Sequence, residues 1–135
     1  MPETILFIVV LILSIVLHEL AHGYAANWLG DPTARLAGRL TLNPIRHIDP
    51  LGSLLIPALL YFTQAPFLFG WAKPVPYNPY NLRNQRWGES FVAAAGPLTN
   101  LLLAAIFASF IRFADVFGFP PEFLQVASFI VLINI

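Results

Sequence analysis

The sequence predicts an all-α polytopic membrane protein, a single core unit over residues 1–135. It has about three transmembrane helices, a short re-entrant or interfacial segment, and a proline-rich loop able to form a β-hairpin. Three observations carry this. Of the 135 residues 58% are hydrophobic and only 10% charged, whereas a water-soluble domain carries about 25% charged residues to cover its surface. Ile5 to Leu17 contains no charge, and its one polar side chain is Ser14. A second apolar stretch, Glu89 to Ile111, is also long enough to cross a bilayer.

The first segment, residues 4–29, ends at Gly30-Asp31-Pro32, a glycine stop followed by a proline breaker. The Met-Pro-Glu-Thr start has no basic region and the apolar run no small-residue cleavage site, so the segment reads as a retained helix rather than a cleaved signal. A polar stretch, Thr33 to Pro50, follows. Residues 51–63 are apolar but short and contain Pro57, which suits a re-entrant or interfacial element better than a span. The loop 64–88 is dense in proline, aromatics and asparagine. The next helix, 89–111, is closed by Arg112 and Asp115, and Gly118-Phe119-Pro120-Pro121 makes a turn. Residues 123–135 form a partial helix of about 20 Å, short of the ~30 Å a span needs. That predicts a chain cut within a transmembrane helix.

Six of the seven basic residues (Arg35, Arg39, Arg46, Lys73, Arg83, Arg86) lie between the first helix and the helix at 89–111. If residues 51–63 do not cross, the positive-inside rule makes that side cytoplasmic and the N-terminus external, in a cell or inner membrane. Zero net charge argues against a nucleic-acid partner. With no cysteine, any metal ligands must be His, Asp or Glu.

His18-Glu19-Leu20-Ala21-His22 ends the first apolar run and matches H-E-x-x-H. On a helix, residues four apart share a face, so both imidazoles can reach one Zn²⁺. Glu19 is placed to take a proton from a water activated by the metal. The structural alternative is two helical histidines and a glutamate satisfied by neighbours. Three ionisable groups in an apolar span are costly, however, and such groups are usually functional. With the preferred topology His18 and His22 lie roughly 10–16 Å deep, and Asn100 in Gly96-Pro97-Leu98-Thr99-Asn100 lies roughly 16 Å deep from the same side. Asn100 can donate to a substrate carbonyl or its oxyanion, or it can serve as interhelical glue.

Three other regions carry polar groups. His47, beside Arg46 and Asp49, reads as a solvated or headgroup-facing histidine rather than a metal ligand. Asp31 and Asp49 read as turn and cap residues. Gly70 to Pro76 reads either as an aromatic-anchored interfacial loop or as an edge that pairs with an unfolded substrate peptide, since Pro74 and Pro76 remove two donors.

These motifs together resemble the site-2 protease family of intramembrane zinc metalloproteases, in its small prokaryotic form without a PDZ domain. The matching stretches are His18 to Gly23, Gly30-Asp31-Pro32-Thr33-Ala34, Leu42-Asn43-Pro44, Gly70 to Pro76, and Gly96 to Asn100. The resemblance implies His18 and His22 as ligands of one Zn²⁺ and Glu19 as general base. It also implies substrate-facing roles for Asn100 and for Lys73, Pro74, Val75 and Pro76. The implied substrates are transmembrane segments of other membrane proteins in the lipid bilayer. The family's third ligand is an Asp in an L-D-G motif on the following span. No L-D-G occurs by Ile135, so this ligand is expected C-terminal to it, and the 135 residues alone are expected to be inactive. The competing expectation is a non-catalytic protein, either a helix-binding pseudoprotease or a metal-handling membrane protein. A soluble zinc protease ranks below both, because the first helix has no wet face.

Overall fold

In the computed structural model, residues 2–135 are described. Helix α1, Pro2–Trp28, has 27 residues, about 40 Å of helix. It ends as its sequence requires. Gly30 takes φ +112°, and Asp31 N–H returns to the Ala26 carbonyl at 2.8 Å, closing the helix with the glycine-dependent C-cap. A one-turn helix α2, Thr33–Leu36, and a 3₁₀ turn, Pro44–His47, follow. Asn43 Oδ1 caps that turn, accepting Ile45 N–H at 3.1 Å.

The short apolar segment begins at Asp49, whose Oδ1 accepts the N–H groups of Leu51 (2.9 Å) and Gly52 (3.3 Å). Asp49 is therefore the cap residue its position suggests. Residues Pro50–Leu55 are π-helical and run into α3, Ile56–Phe62. Pro57 has no N–H to offer the preceding turn, and the wider bonding pattern falls immediately ahead of it. Together Pro50–Phe62 make about 20 Å, too little to cross a bilayer.

Residues 63–87 contain one regular element, the 3₁₀ turn Pro79–Asn81. The β-hairpin expectation fails here: no strand occurs among the described residues. The reason lies in where the donors go. Trp71 N–H bonds Gly52 O at 3.0 Å, Lys73 N–H bonds His47 O at 2.9 Å, and Val75 N–H bonds the Glu19 carboxylate at 3.0 Å. Three partners on three elements hold an extended chain without forming a ladder.

Helix α4, Gly88–Arg112, carries Pro97 inside it. The short α5, Ala114–Phe117, ends at Gly118 in the left-handed region, and α6 occupies Pro121–Asn134. Helices α1, α4 and α6 pack pairwise into one three-helix unit. The buried residues of α4 are Gly88, Val92, Gly96 and Ala104, mostly small and spaced at multiples of four, which lets α1 approach closely. Outward, Ile5, Ile8, Ile12, Phe91, Leu101 and Leu102 are exposed. Apolar helices that bury so little of themselves have lipid as their natural solvent. Among the described residues two helices, α1 and α4, are long and apolar enough to span.

Candidate metal centre and its surroundings

On α1, His18 and His22 lie one turn apart with their Nε2 atoms 3.0 Å from each other. Nδ1 of His22 is 2.6 Å from the carbonyl oxygen of Val92 on α4. A carbonyl only accepts, so Nδ1 carries the proton and Nε2 keeps its lone pair, the tautomer a metal ligand requires. That carbonyl is offered from the facing helix.

The space in front of both imidazoles depends on residue 96. A Cβ on Gly96 would lie 2.4 Å from His22 Nε2 and 2.5 Å from His18 Nε2. Glycine thus leaves room beside both Nε2 atoms that any larger side chain would fill. Zn–N bonds of about 2.0–2.1 Å in a tetrahedral site place two nitrogens about 3.3 Å apart, so the observed 3.0 Å needs a shift of a few tenths of an ångström. The pair fits Zn²⁺ as two of its protein ligands. Among the described residues no group of three His, Cys, Asp or Glu forms, so the third ligand that a catalytic zinc requires is not among them.

Asn100 comes up to the His18 ring from α4. Its Oδ1 is buried and has no hydrogen-bond partner. The amide stands beside His18 across the α1–α4 interface, a place from which it can serve either helix packing or a substrate. The depth match inferred from residue counting is thus a spatial meeting.

Glu19 reaches the loop, where one carboxylate oxygen accepts Val75 N–H at 3.0 Å. Val75 has the one N–H in Pro74-Val75-Pro76, because prolines have none. A small cavity of about 220 Å³ adjoins, lined by Glu19, His22, Pro74, Val75, Tyr77 and Val92 among others. Lys73 contributes its backbone here. Pro76 is half-buried beside Val75. Tyr77 donates to Glu89 at 3.3 Å, and burial together with the Glu89 charge raises the phenol above its ordinary value.

His47 overturns its sequence reading. It is buried, not solvated, with Nε2 3.0 Å from Thr41 O and Nδ1 3.5 Å from Arg39 Nη2. The bend of the polar stretch folds it against the loop, and it stays apart from the His18–His22 pair. Arg39 is the functional neighbour that sequence reasoning missed. It is 5% exposed and donates from Nη1 to Pro74 O at 3.2 Å and from Nη2 to Lys73 O at 2.6 Å. Burial draws its pKa below the ordinary value, and the Glu19 charge opposes that. Its one sequence signal was a basic residue close to the glycine turn at Gly38.

Asp31 does more than turn the chain. Fully buried, it accepts Thr33 N–H at 3.0 Å, Asn78 N–H at 2.6 Å, Asn81 Nδ2 at 3.1 Å and the Thr33 hydroxyl at 2.5 Å. Burial pushes its pKa up, but these bonds together hold it below the ordinary carboxylate value. It fastens the end of α1 to the loop.

A helical membrane protein bearing an H-E-x-x-H pair on a spanning-length helix is the class this fold and site define. The chain belongs to peptidase family M50, the site-2 protease family, which matches residues 6–131. It is 46% identical over 99 residues to "Putative zinc metalloprotease YwhC" of Bacillus subtilis, covering 73% of this chain and 42% of that protein. It is 32% identical over 101 residues to "Putative zinc metalloprotease Rip2" of Mycolicibacterium smegmatis, covering 75% of this chain and 38% of the relative. For Rip2 of Mycobacterium tuberculosis strain H37Rv the identity is 34% over 95 residues, 70% and 35% of the two chains. The chain thus spans less than half the length of these relatives. No solved structure matches it.

Proposed function

We propose that these residues form the N-terminal part of the active centre of a zinc metalloendopeptidase that hydrolyses peptide bonds in or near transmembrane segments of membrane-protein substrates. One observation carries the reading: two imidazoles, their Nε2 atoms 3.0 Å apart, converge within a spanning-length helix on space kept open by Gly96. His18 and His22 would hold the Zn²⁺, with a third ligand from beyond Ile135. When bound, the ion would lower the pKa of water toward ~7 and polarise the scissile carbonyl. Glu19 takes the proton from the attacking water and passes it to the leaving amine, through the carboxylate oxygen that Val75 leaves free. Asn100 supplies an amide on the His18 side that can donate to the carbonyl oxygen as charge develops there.

The loop completes the arrangement. Trp71 and Lys73 turn their N–H groups inward, so an extended chain offers the intervening Ala72, and Gly70 before them, outward. That edge can pair with a locally unwound substrate, whose peptide bonds a helix would hide. The proposed protein is multi-pass, with its N-terminus external and its catalytic residues toward the cytoplasmic side.

The deciding experiment is cleavage of a membrane-embedded substrate by the full-length protein, wild type against Glu19→Gln. Loss of cleavage with zinc retained supports the reading. Equal cleavage by the two sinks it. A full-length protein with no acidic residue in the apolar stretch after Ile135 would favour a non-catalytic helix binder or metal-handling protein.

A further inference from the structure

We infer that Arg39 is a positioning residue for Glu19, acting through the Lys73–Val75 backbone; this rests on the proposed hydrolase reading. Three observations meet in it. Arg39 is a buried guanidinium with no carboxylate within salt-bridge distance among the described residues. Instead its Nη1 and Nη2 donate to the consecutive carbonyls of Pro74 (3.2 Å) and Lys73 (2.6 Å). Immediately after those carbonyls comes the Val75 N–H, 3.0 Å from Glu19.

A buried cation without a close counter-charge is costly, and here its bonds go to carbonyls that otherwise lack partners. Pro74 and Pro76 prevent this segment from joining a ladder, so local backbone pairing cannot hold it. Arg39 replaces the ladder. A guanidinium presents its donors as a rigid planar fork, which suits two adjacent carbonyls in a way an ammonium does not. His47 steadies the arrangement from both sides: its ring lies 3.5 Å from Nη2, and its carbonyl accepts Lys73 N–H at 2.9 Å. The chain of contacts runs from Arg39 to the loop, from the loop to Val75 N–H, and from there to the carboxylate. Arg39 touches neither the imidazoles nor the room beside Gly96.

The test uses the full-length protein in lipid, as wild type, Arg39→Gln, Arg39→Lys, Val75→Pro and the Arg39→Gln/Val75→Pro double variant. Val75 has the only exchangeable backbone hydrogen in its triplet, so hydrogen exchange reads the contact without any reaction. Arg39→Gln should speed that exchange at least about tenfold. It should lower kcat by about 10–100-fold, as loss of an orienting partner does, with zinc content unchanged and KM within about threefold. Arg39→Lys should recover part of the loss. The double variant should be no worse than the poorer single variant, because both break one path.

Val75 exchange at the wild-type rate in Arg39→Gln overturns the inference. So do losses that multiply in the double variant, or a change confined to KM. If the wild type cleaves no substrate, the hydrolase reading fails separately, and Val75 exchange still decides whether Arg39 holds the loop.

Discussion

Gly96 on α4 faces His22 on α1 so closely that a methyl group at residue 96 would lie 2.4 Å from the Nε2 atom. The open volume there is thus set by the smallest side chain, on a helix other than the one that carries the H-E-x-x-H motif. Gly96→Ala in the full-length protein should push the imidazoles apart and lower zinc affinity by at least about tenfold, with overpacking costing about 1–3 kcal/mol of stability. Zinc content after purification, beside a helical circular-dichroism spectrum, checks this. Undiminished zinc in a folded Gly96→Ala protein would mean the room beside Gly96 is not where the metal sits.

Asn100 has a buried Oδ1 without a partner. If its amide works on substrate, Asn100→Ala should lower kcat by about 10–100-fold and leave thermal stability within about 1 kcal/mol, the ordinary worth of one hydrogen bond between membrane helices. Kinetics and thermal unfolding of one preparation give both values. A large loss of stability with kcat retained would return Asn100 to helix packing.

Asp31 joins the end of α1 to residues 78–81 by way of Asn78 and Asn81. Asp31→Ala should destabilise the fold by more than about 2 kcal/mol, because it removes four hydrogen bonds made by one buried carboxylate. The pH sign follows from its lowered pKa. The folded form holds the carboxylate below the ordinary 3.8, so its contribution is full above that value and fades as pH falls through the lower folded value. Unfolding midpoints between pH 6 and pH 2 should show the wild type losing this contribution and Asp31→Asn showing a smaller decline. Parallel curves would contradict it.

Gly52 lies beneath the Trp71 indole, where a Cβ would sit 2.2 Å from the ring. Trp71 Nε1 also donates to Asp49 Oδ2 at 3.1 Å. Gly52→Ala should displace the indole and loosen residues 70–76 while α1 and α4 stay intact. Trp71 fluorescence should shift and limited proteolysis should cut within the loop. An unchanged loop would show that the segment does not rely on this contact.

The helices were legible because hydrophobic runs and breakers act locally. The predicted 4–29 and 89–111 became Pro2–Trp28 and Gly88–Arg112, with Gly30 and Gly118 at the turns where they were expected. The short segment was legible by length, and Asp49 as its cap. The loop was not, because alternation of donors says nothing about which elements receive them: Gly52, His47 and Glu19 are 19, 26 and 56 residues away from Trp71, Lys73 and Val75. His47 was misread for the same reason, as polar neighbours in sequence gave no sign of burial against Arg39.

By itself, the sequence determined the apolar helices, their ends, and a histidine pair on one helical face with a carboxylate next to it, since each depends on residues within a turn or two of one another. Only the tertiary structure decided that a Val92 carbonyl meets His22, that Gly96 lies against both imidazoles, that Asn100 arrives beside His18, and that Arg39 bonds the Lys73 and Pro74 carbonyls next to the Val75 N–H that meets Glu19. These depend on which helix faces meet and where a ladderless loop finds partners. Close packing and long-range hydrogen bonding, rather than local periodicity, govern both.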